Sequence, residues 1–339
     1  MLSNLYTPLV AFFITVSSFL SALDYEIRDI GTLQTHSSNA IAINNEGQIL
    51  GWYNIDGSRE GKHFFVRDRD GSLLEVPNKE NGVGCEVEWR YLTNDGTAYG
   101  VFDGNTNFAV LYKWDANNGV VKLGNLPGKE ISAINDAGQV LIKSIVENEG
   151  GKSIRRPVIW NNGKITKLHG LEGDLGIESD ESYGYGMNNN GDVVGQSVVF
   201  LSYKNNIYKQ LHATMWVDGQ PIDLHDKMEK SLETIATAIT DQGEVLIGGM
   251  ILRQDGSLFN IGYGAHCSKM TSKYVCYKDY GIYDVSNRRM IHPGNKNSDP
   301  IWFQCTEINS VNDKGEAIAK GKTIYGEDHA MLLVPVKAD

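Results

Sequence analysis

The sequence predicts an all-β protein, a six-bladed β-propeller of four-stranded antiparallel blades whose ring is closed by pairing of the N- and C-terminal strands. Three observations predict it. One turn motif recurs six times along 339 residues, a further strand pair ending in Asn-Gly or Asp-Gly follows it, and 37 Gly against 8 Pro mark a chain of tight turns. With 41% hydrophobic residues the chain can build a packed core. Its 42 acidic against 31 basic side chains give a net charge of −11, a field that repels nucleic acid and anionic lipid. Neither nucleic acid nor a membrane surface is therefore expected as a partner.

Residues 1–23 carry no charged side chain, and the apolar stretch from Leu9 to Leu20 is followed by Ser21 and Ala22 before Asp24. This reads as a signal peptide over residues 1–22, with export to the periplasm, the cell surface or the medium. The segment before Leu9 lacks Lys and Arg, and an uncharged run of this length also suits a retained anchor. No second apolar run approaches the ~20 residues that span a bilayer. Residues 23–339 are expected to form one propeller domain.

The turn motif is an apolar residue, Asn or Thr, two further residues, Gly, one residue and a β-prone pair. It places Asn44 with Gly47, Thr93 with Gly96, Asn135 with Gly138, Asn188 with Gly191, Thr240 with Gly243, and Asn312 with Gly315. The steps between these glycines are 49, 42, 53, 52 and 72 residues. Each copy reads as a β-hairpin whose Asn or Thr caps the turn and whose Gly takes a positive φ. Two positions before the Asn or Thr stand Ala42, Tyr91, Ala133, Gly186, Ala238 and Ser310, five of them small. Small side chains at one strand position suggest crowding about a common axis.

The second strand pair begins with an aromatic or apolar run: H-F-F-V-R from His63, F-A-V-L-Y from Phe108, P-V-I-W from Pro157 and H-A-T-M-W from His212. Each precedes an Asn-Gly or Asp-Gly pair, a strong short-range hairpin signal. The long 72-residue step predicts an insertion at about residues 258–300 within the fifth unit. The last unit stops at Asp339 before a fourth strand, while Y-E-I-R-D-I-G-T-L from Tyr25 matches the fourth-strand segment V-V-K-L-G-N-L from Val120. Residues 25–33 are therefore expected to pair with residues 329–336 and close the ring.

These elements together resemble the HAF repeat of bacterial extracellular proteins, whose units carry I-N-x-x-G-x-V-V-G, H-A-F-L-W and D-L-G-x-L. The first is nearest at Met187 to Gly195, the second at His212 to Trp216 and His329 to Leu333, and the third at Asp29 to Leu33 and Lys122 to Leu126. The resemblance implies a secreted β-propeller and brings no catalytic signature with it.

Candidate functional residues follow from the repeat. Glu88, Glu130 and Glu307 each lie five residues before a turn Asn or Thr, at the head of the strand expected to be innermost. They read either as a partial carboxylate ring for a ligand or a hard cation such as Ca²⁺, or as polar strand ends meeting water. No other cofactor and no metal site is expected. His63, His212 and His329 share one slot in three units; rotation about the axis keeps them apart, so they read as structural. Glu172, Asp174, Glu178, Asp180 and Glu181 lack the order of a calcium loop and read as a solvated loop. Cys267 and Cys276, nine positions apart in the insertion, are expected to form a disulfide, whereas Cys85 and Cys305 are left unassigned.

The sequence holds no G-x-S-x-G elbow, no H-E-x-x-H and no P-loop. The expected function is thus a secreted, monomeric, non-enzymatic propeller that binds a protein or glycan through its long-loop face. The alternative is a propeller glycoside hydrolase or lyase, for which Glu88 and Glu130 would supply the two carboxyl groups.

Overall fold

The computed structural model describes residues 24–30, 37–55, 61–79, 86–103, 109–147, 151, 153–179, 181–204, 206–228, 234–262, 267–277, 281–292, 302–323 and 326–336. The expected signal peptide lies outside them. The strands are β1 (Asp24–Asp29); β2 (Ser37–Ile43), β3 (Ile49–Asn54), β4 (Lys62–Arg67) and β5 (Leu73–Val76); β6 (Glu88–Leu92), β7 (Ala98–Phe102), β8 (Val110–Asp115) and β9 (Gly119–Asn125); β10 (Glu130–Ile134), β11 (Val140–Glu147), β12 (Ser153–Asn161) and β13 (Lys164–Lys167). They continue as β14 (Ser182–Met187), β15 (Val193–Tyr203), β16 (Asn206–Val217) and β17 (Gln220–Asp223); β18 (Ala236–Ile239), β19 (Val245–Ile247), β20 (Met250–Leu252) and β21 (Leu258–Asn260); β22 (Cys267–Met270), β23 (Tyr274–Tyr277), β24 (Gly281–Asp284) and β25 (Arg289–Ile291); and β26 (Trp302–Val311), β27 (Ala317–Thr323) and β28 (Asp328–Val336).

They form seven four-stranded antiparallel sheets, six of them consecutive quartets and the seventh ordered β1-β28-β27-β26. The molecule is a seven-bladed β-propeller, which corrects the six blades expected from the sequence. The expected insertion at 258–300 contains the sixth blade, β22 to β25. Its first hairpin turns through Thr271-Ser272-Lys273-Tyr274, with Thr271 N–H donating to the Tyr274 carbonyl at 2.8 Å. That tighter turn needs no glycine, so the motif skips it.

The ring closes between the two ends of the described chain. β1 pairs antiparallel with β28 from Asp24 opposite Val336 to Asp29 opposite Met331, so residues far apart in sequence share one blade. The expected clasp is present and supplies the outermost strand of blade 7.

The first strands of the blades face the axis, and all seven carry a register shift at the same place, such as between Ala40 and Ala42 or between Gly184 and Gly186. A bulge bends each strand there, and the small residues seen in the sequence follow it. Gly186 shows why they are small: a Cβ on it would lie 3.2 Å from the Thr237 carbonyl oxygen and 3.3 Å from the Ala238 Cα of the next blade.

The core is divided among the seams between blades. Leu50, Phe64 and Val66 of blade 1 pack on Trp89, Tyr112 and Trp114 of blade 2. Val194 and Ala213 of blade 4 meet Val245 and Ile247 of blade 5, and Tyr25 and Ile27 of the closing strand cover the seam of blades 6 and 7. Burying one sheet face against the next is the hydrophobic driving force that holds the ring.

Candidate functional site

Two regions collect the polar chemistry: the mouth of the axis on the short-turn face, and a groove between blades 3 and 4 on the opposite face. At the mouth, the six motif glycines all have φ between 73° and 88°. Asn44 shows how its turn is held. Its Oδ1 accepts from the N–H groups of Glu46 at 3.1 Å and Gln48 at 2.8 Å, while its Nδ2 donates to the Thr93 carbonyl of the next blade at 2.9 Å. Asn135 reaches Asn188, Asn188 reaches Thr240, and Asn312 reaches Asn44 in the same way. The turn Asn is therefore both a cap and an inter-blade tie, a second role the motif alone did not reveal.

The residue after each turn Asn or Thr builds a second ring nearer to solvent. Asn45 Nδ2 donates to Asp313, Asn94 Nδ2 to Asp136, and Asn189 Nδ2 to both Asp136 and Asp241, at 2.6 to 2.9 Å. From blade 7 through blade 1 to blade 5 the order is Asp, Asn, Asn, Asp, Asn, Asp; each amide has a carboxylate beside it, and Asn45 N–H donates to Asn94 Oδ1 at 2.8 Å across the Asn–Asn step.

The three glutamates lie on the first strands of blades 2, 3 and 7. Glu88 opens β6, 2.6 Å from Arg90 and 3.5 Å from Lys62. Its hydrogen bond from Arg90 holds its carboxyl below the usual range, against a smaller effect of burial. Glu130 opens β10, 3.2 Å from Lys143. Glu307 lies within β26, opposite Lys320. Among the described residues no group of three or more His, Cys, Asp or Glu is arranged to hold a metal ion.

The His slot has a shared chemistry. His63 lies 3.6 Å from Glu75, His212 is 2.7 Å from Asp223, and His329 is 3.2 Å from Asp29, in each case an acid on the blade's outer strand. They occupy blades 1, 4 and 7, and so do not converge. Blade 3 puts Arg156 in that slot, buried and 3.0 Å from Glu178. Glu178 also accepts from Gly170 N–H at 2.7 Å, while Glu181 lies 3.7 Å from Arg155. The acidic loop, expected to be merely solvated, thus anchors the basic pair of β12; the adjacent Arg155-Arg156 is the sequence signal for it.

The expected Cys267–Cys276 disulfide is not found. The register sets Cys276 opposite Lys269 and Cys267 opposite Tyr277. The Cys276 thiol is buried and donates to the Ile308 carbonyl at 3.6 Å. The side chain of Cys267 and those of Cys85 and Cys305 lie outside the described residues.

The groove arises because two hairpins outgrow their blades. β15 and β16 pair over eleven positions, from Val193 opposite Trp216 to Tyr203 opposite Asn206, but β14 reaches only Ser197 and β17 only Thr214. β11 and β12 likewise pair out to Glu147 opposite Ser153, whereas β13 reaches only Val158. Between them lies a cavity of about 430 Å³, walled by Ile154, Val198 and Phe200 and rimmed by Arg155, Glu181 and Lys209. Large apolar side chains crowd the same two hairpins: Ile145 is 69% exposed and Ile207 65%. Nothing in the short sequence motifs marked this groove, since it depends on strand length.

No sequence family matches the chain and no curated protein does. Solved structures do. The β-propeller domain of the Trilobed protease from Pyrococcus furiosus superposes with a TM-score of 0.53 at 12% identity, over 87% of this chain and 95% of that one. That domain has an open velcro topology, in contrast to the β1–β28 closure here. Pyrococcus horikoshii acylaminoacyl peptidase superposes with a TM-score of 0.55 at 14% identity, over 93% of this chain; the match spans 54% of the peptidase. At these identities the likeness shows the fold. Both neighbours come from peptidases, which corrects the expectation of a glycan-binding propeller and of its polysaccharide-cleaving alternative.

Proposed function

We propose that this chain is a peptidase-associated propeller that handles peptide substrate in the groove between blades 3 and 4. The groove itself carries the reading. Its apolar walls of Ile154, Val198 and Phe200 beside charged Arg155, Glu181 and Lys209 suit an extended peptide, which presents apolar side chains and a polar backbone together. The likeness to propellers of two peptidases supports the choice of peptide as the ligand. The HAF-like elements and the uncharged N-terminal segment support a place among exported HAF-repeat proteins.

A fluorescein-labelled tryptic digest of casein, titrated with the purified chain and followed by anisotropy, tests this. Binding of the peptide pool, no binding of labelled dextran, and weakening by Phe200→Ala are expected. Equal binding of both pools, or none of peptide, overturns the reading.

A further inference from the structure

The two cations at the groove rim differ in what already holds them. The Arg155 guanidinium is engaged by Glu181 at 3.7 Å and by the Tyr183 hydroxyl at 3.4 Å. Lys209 has its Nζ 5.3 Å from the centroid of the Phe200 ring, and among the described residues no carboxylate pairs with it. An unpaired surface lysine is ordinary, but this one is held over an aromatic ring at the edge of an apolar wall. The protein carries a net charge of −11, so its mean field opposes an acidic chain. Lys209 offers such a chain a local exception.

An extended strand sets the spacing. Residues two apart lie on the same face, roughly 6.6 Å from each other. We infer that the groove takes an extended peptide segment in which an apolar residue and an Asp or Glu two positions away share a face, the first against Ile154, Val198 and Phe200 and the carboxylate on Lys209. This rests on the peptide-handling reading above and adds the class of segment selected. The source of the carboxylate is a side chain within the segment.

The probe is a fluorophore-labelled, acetylated and amidated Ser-Leu-Thr-Glu-Ser peptide, measured beside versions with Gln for Glu and with Ser for Leu. The Glu peptide is expected to bind about fivefold tighter than the Gln peptide, as one exposed ion pair allows. That margin is expected to shrink in high salt and to vanish in Lys209→Gln, whose thermal melt matches the parent because Lys209 is exposed. Replacing Leu by Ser is expected to abolish binding. Equal binding of the Glu and Gln peptides, or no effect of Lys209→Gln, overturns the inference. If the casein pool binds and the Glu peptide does not, this inference fails alone; if neither binds, the peptide-handling reading fails with it.

Discussion

Asn312 Nδ2 donates to the Asn44 carbonyl at 3.0 Å, tying the turn of the last blade to that of the first across a separation of 268 residues. The same side chain caps its own turn, its Oδ1 accepting from the N–H groups of Lys314 and Glu316 at 3.0 Å each. Thr240 occupies an equivalent position and, lacking an amide, keeps only the capping half by accepting from Glu244 N–H, whereas at Thr93 the hydroxyl donates to the Thr97 carbonyl and Asp95 accepts the Thr97 N–H. Asn312→Ala is therefore expected to cost about 2 kcal/mol, and Asn312→Thr about half of that, since it keeps a capping oxygen and loses the Nδ2 bonds to Asn44 and to Glu316. Denaturant midpoints ranked parent, Asn312→Thr, Asn312→Ala would agree; equal midpoints for the parent and Asn312→Thr would remove the inter-blade role.

Ring closure makes a second prediction. Deleting Asp24–Asp29 strips β28 of its partner along six residue pairs and takes Tyr25 and Ile27 from the seam of blades 6 and 7. An open, apolar edge strand is a template for other chains. The shortened protein is expected to melt well below the parent and to elute as oligomers. A monomer with an unchanged melt shows that the clasp is dispensable.

Much of this fold is legible in the sequence because a residue needing a positive φ must usually be Gly. The six motif glycines report six hairpins for that reason, and the small residues after five of the seven bulges report the axis. Blade 6 escapes because Thr271 closes a two-residue turn without Gly, and because Arg288, at φ 54°, takes a positive φ in the blade's last turn. The glutamates share a slot in the repeat, and Glu88 and Glu130 each pair with a basic neighbour on its own blade, a contact that the turn motif does not encode. The groove was illegible for another reason. It exists only where β11, β12, β15 and β16 run past shorter neighbours, and strand overlap is a property of pairing rather than of any local motif.

The Tyr91 hydroxyl donates to the Ile131 carbonyl of the next blade at 3.0 Å, and burial pushes its pKa up to about 12. The folded state thus favours the neutral phenol over its ordinary value of about 10. Its contribution is whole below that value and is lost as pH rises from about 10 towards 12. Tyr91→Phe is expected to cost about 1 kcal/mol at neutral pH through the missing hydrogen bond. The same variant is expected to lose less stability than the parent in alkali. Parallel pH profiles from urea unfolding of the two proteins would exclude Tyr91 as the titrating group.

Asp223 makes the opposite case at low pH. Burial alone raises its pKa, but hydrogen bonds from His212 and from the His225 N–H, together with the charge of both rings, leave it below the usual carboxylate value. The lengths are 2.7 Å to His212 Nδ1 and 2.8 Å to His225 N–H, and the His212 ring stacks on His225 at 4.1 Å. A depressed carboxyl pKa contributes stability that is fully present above about pH 4, where the unfolded chain is already ionised, and disappears as pH falls through the lower folded value. Asp223→Asn keeps an oxygen that accepts from His212 but cannot titrate. It is expected to be less stable than the parent near neutral pH, with the gap closing as the solution is acidified. Urea midpoints that differ by a constant amount across that range would show that the His212–Asp223 contact acts through packing and not through charge.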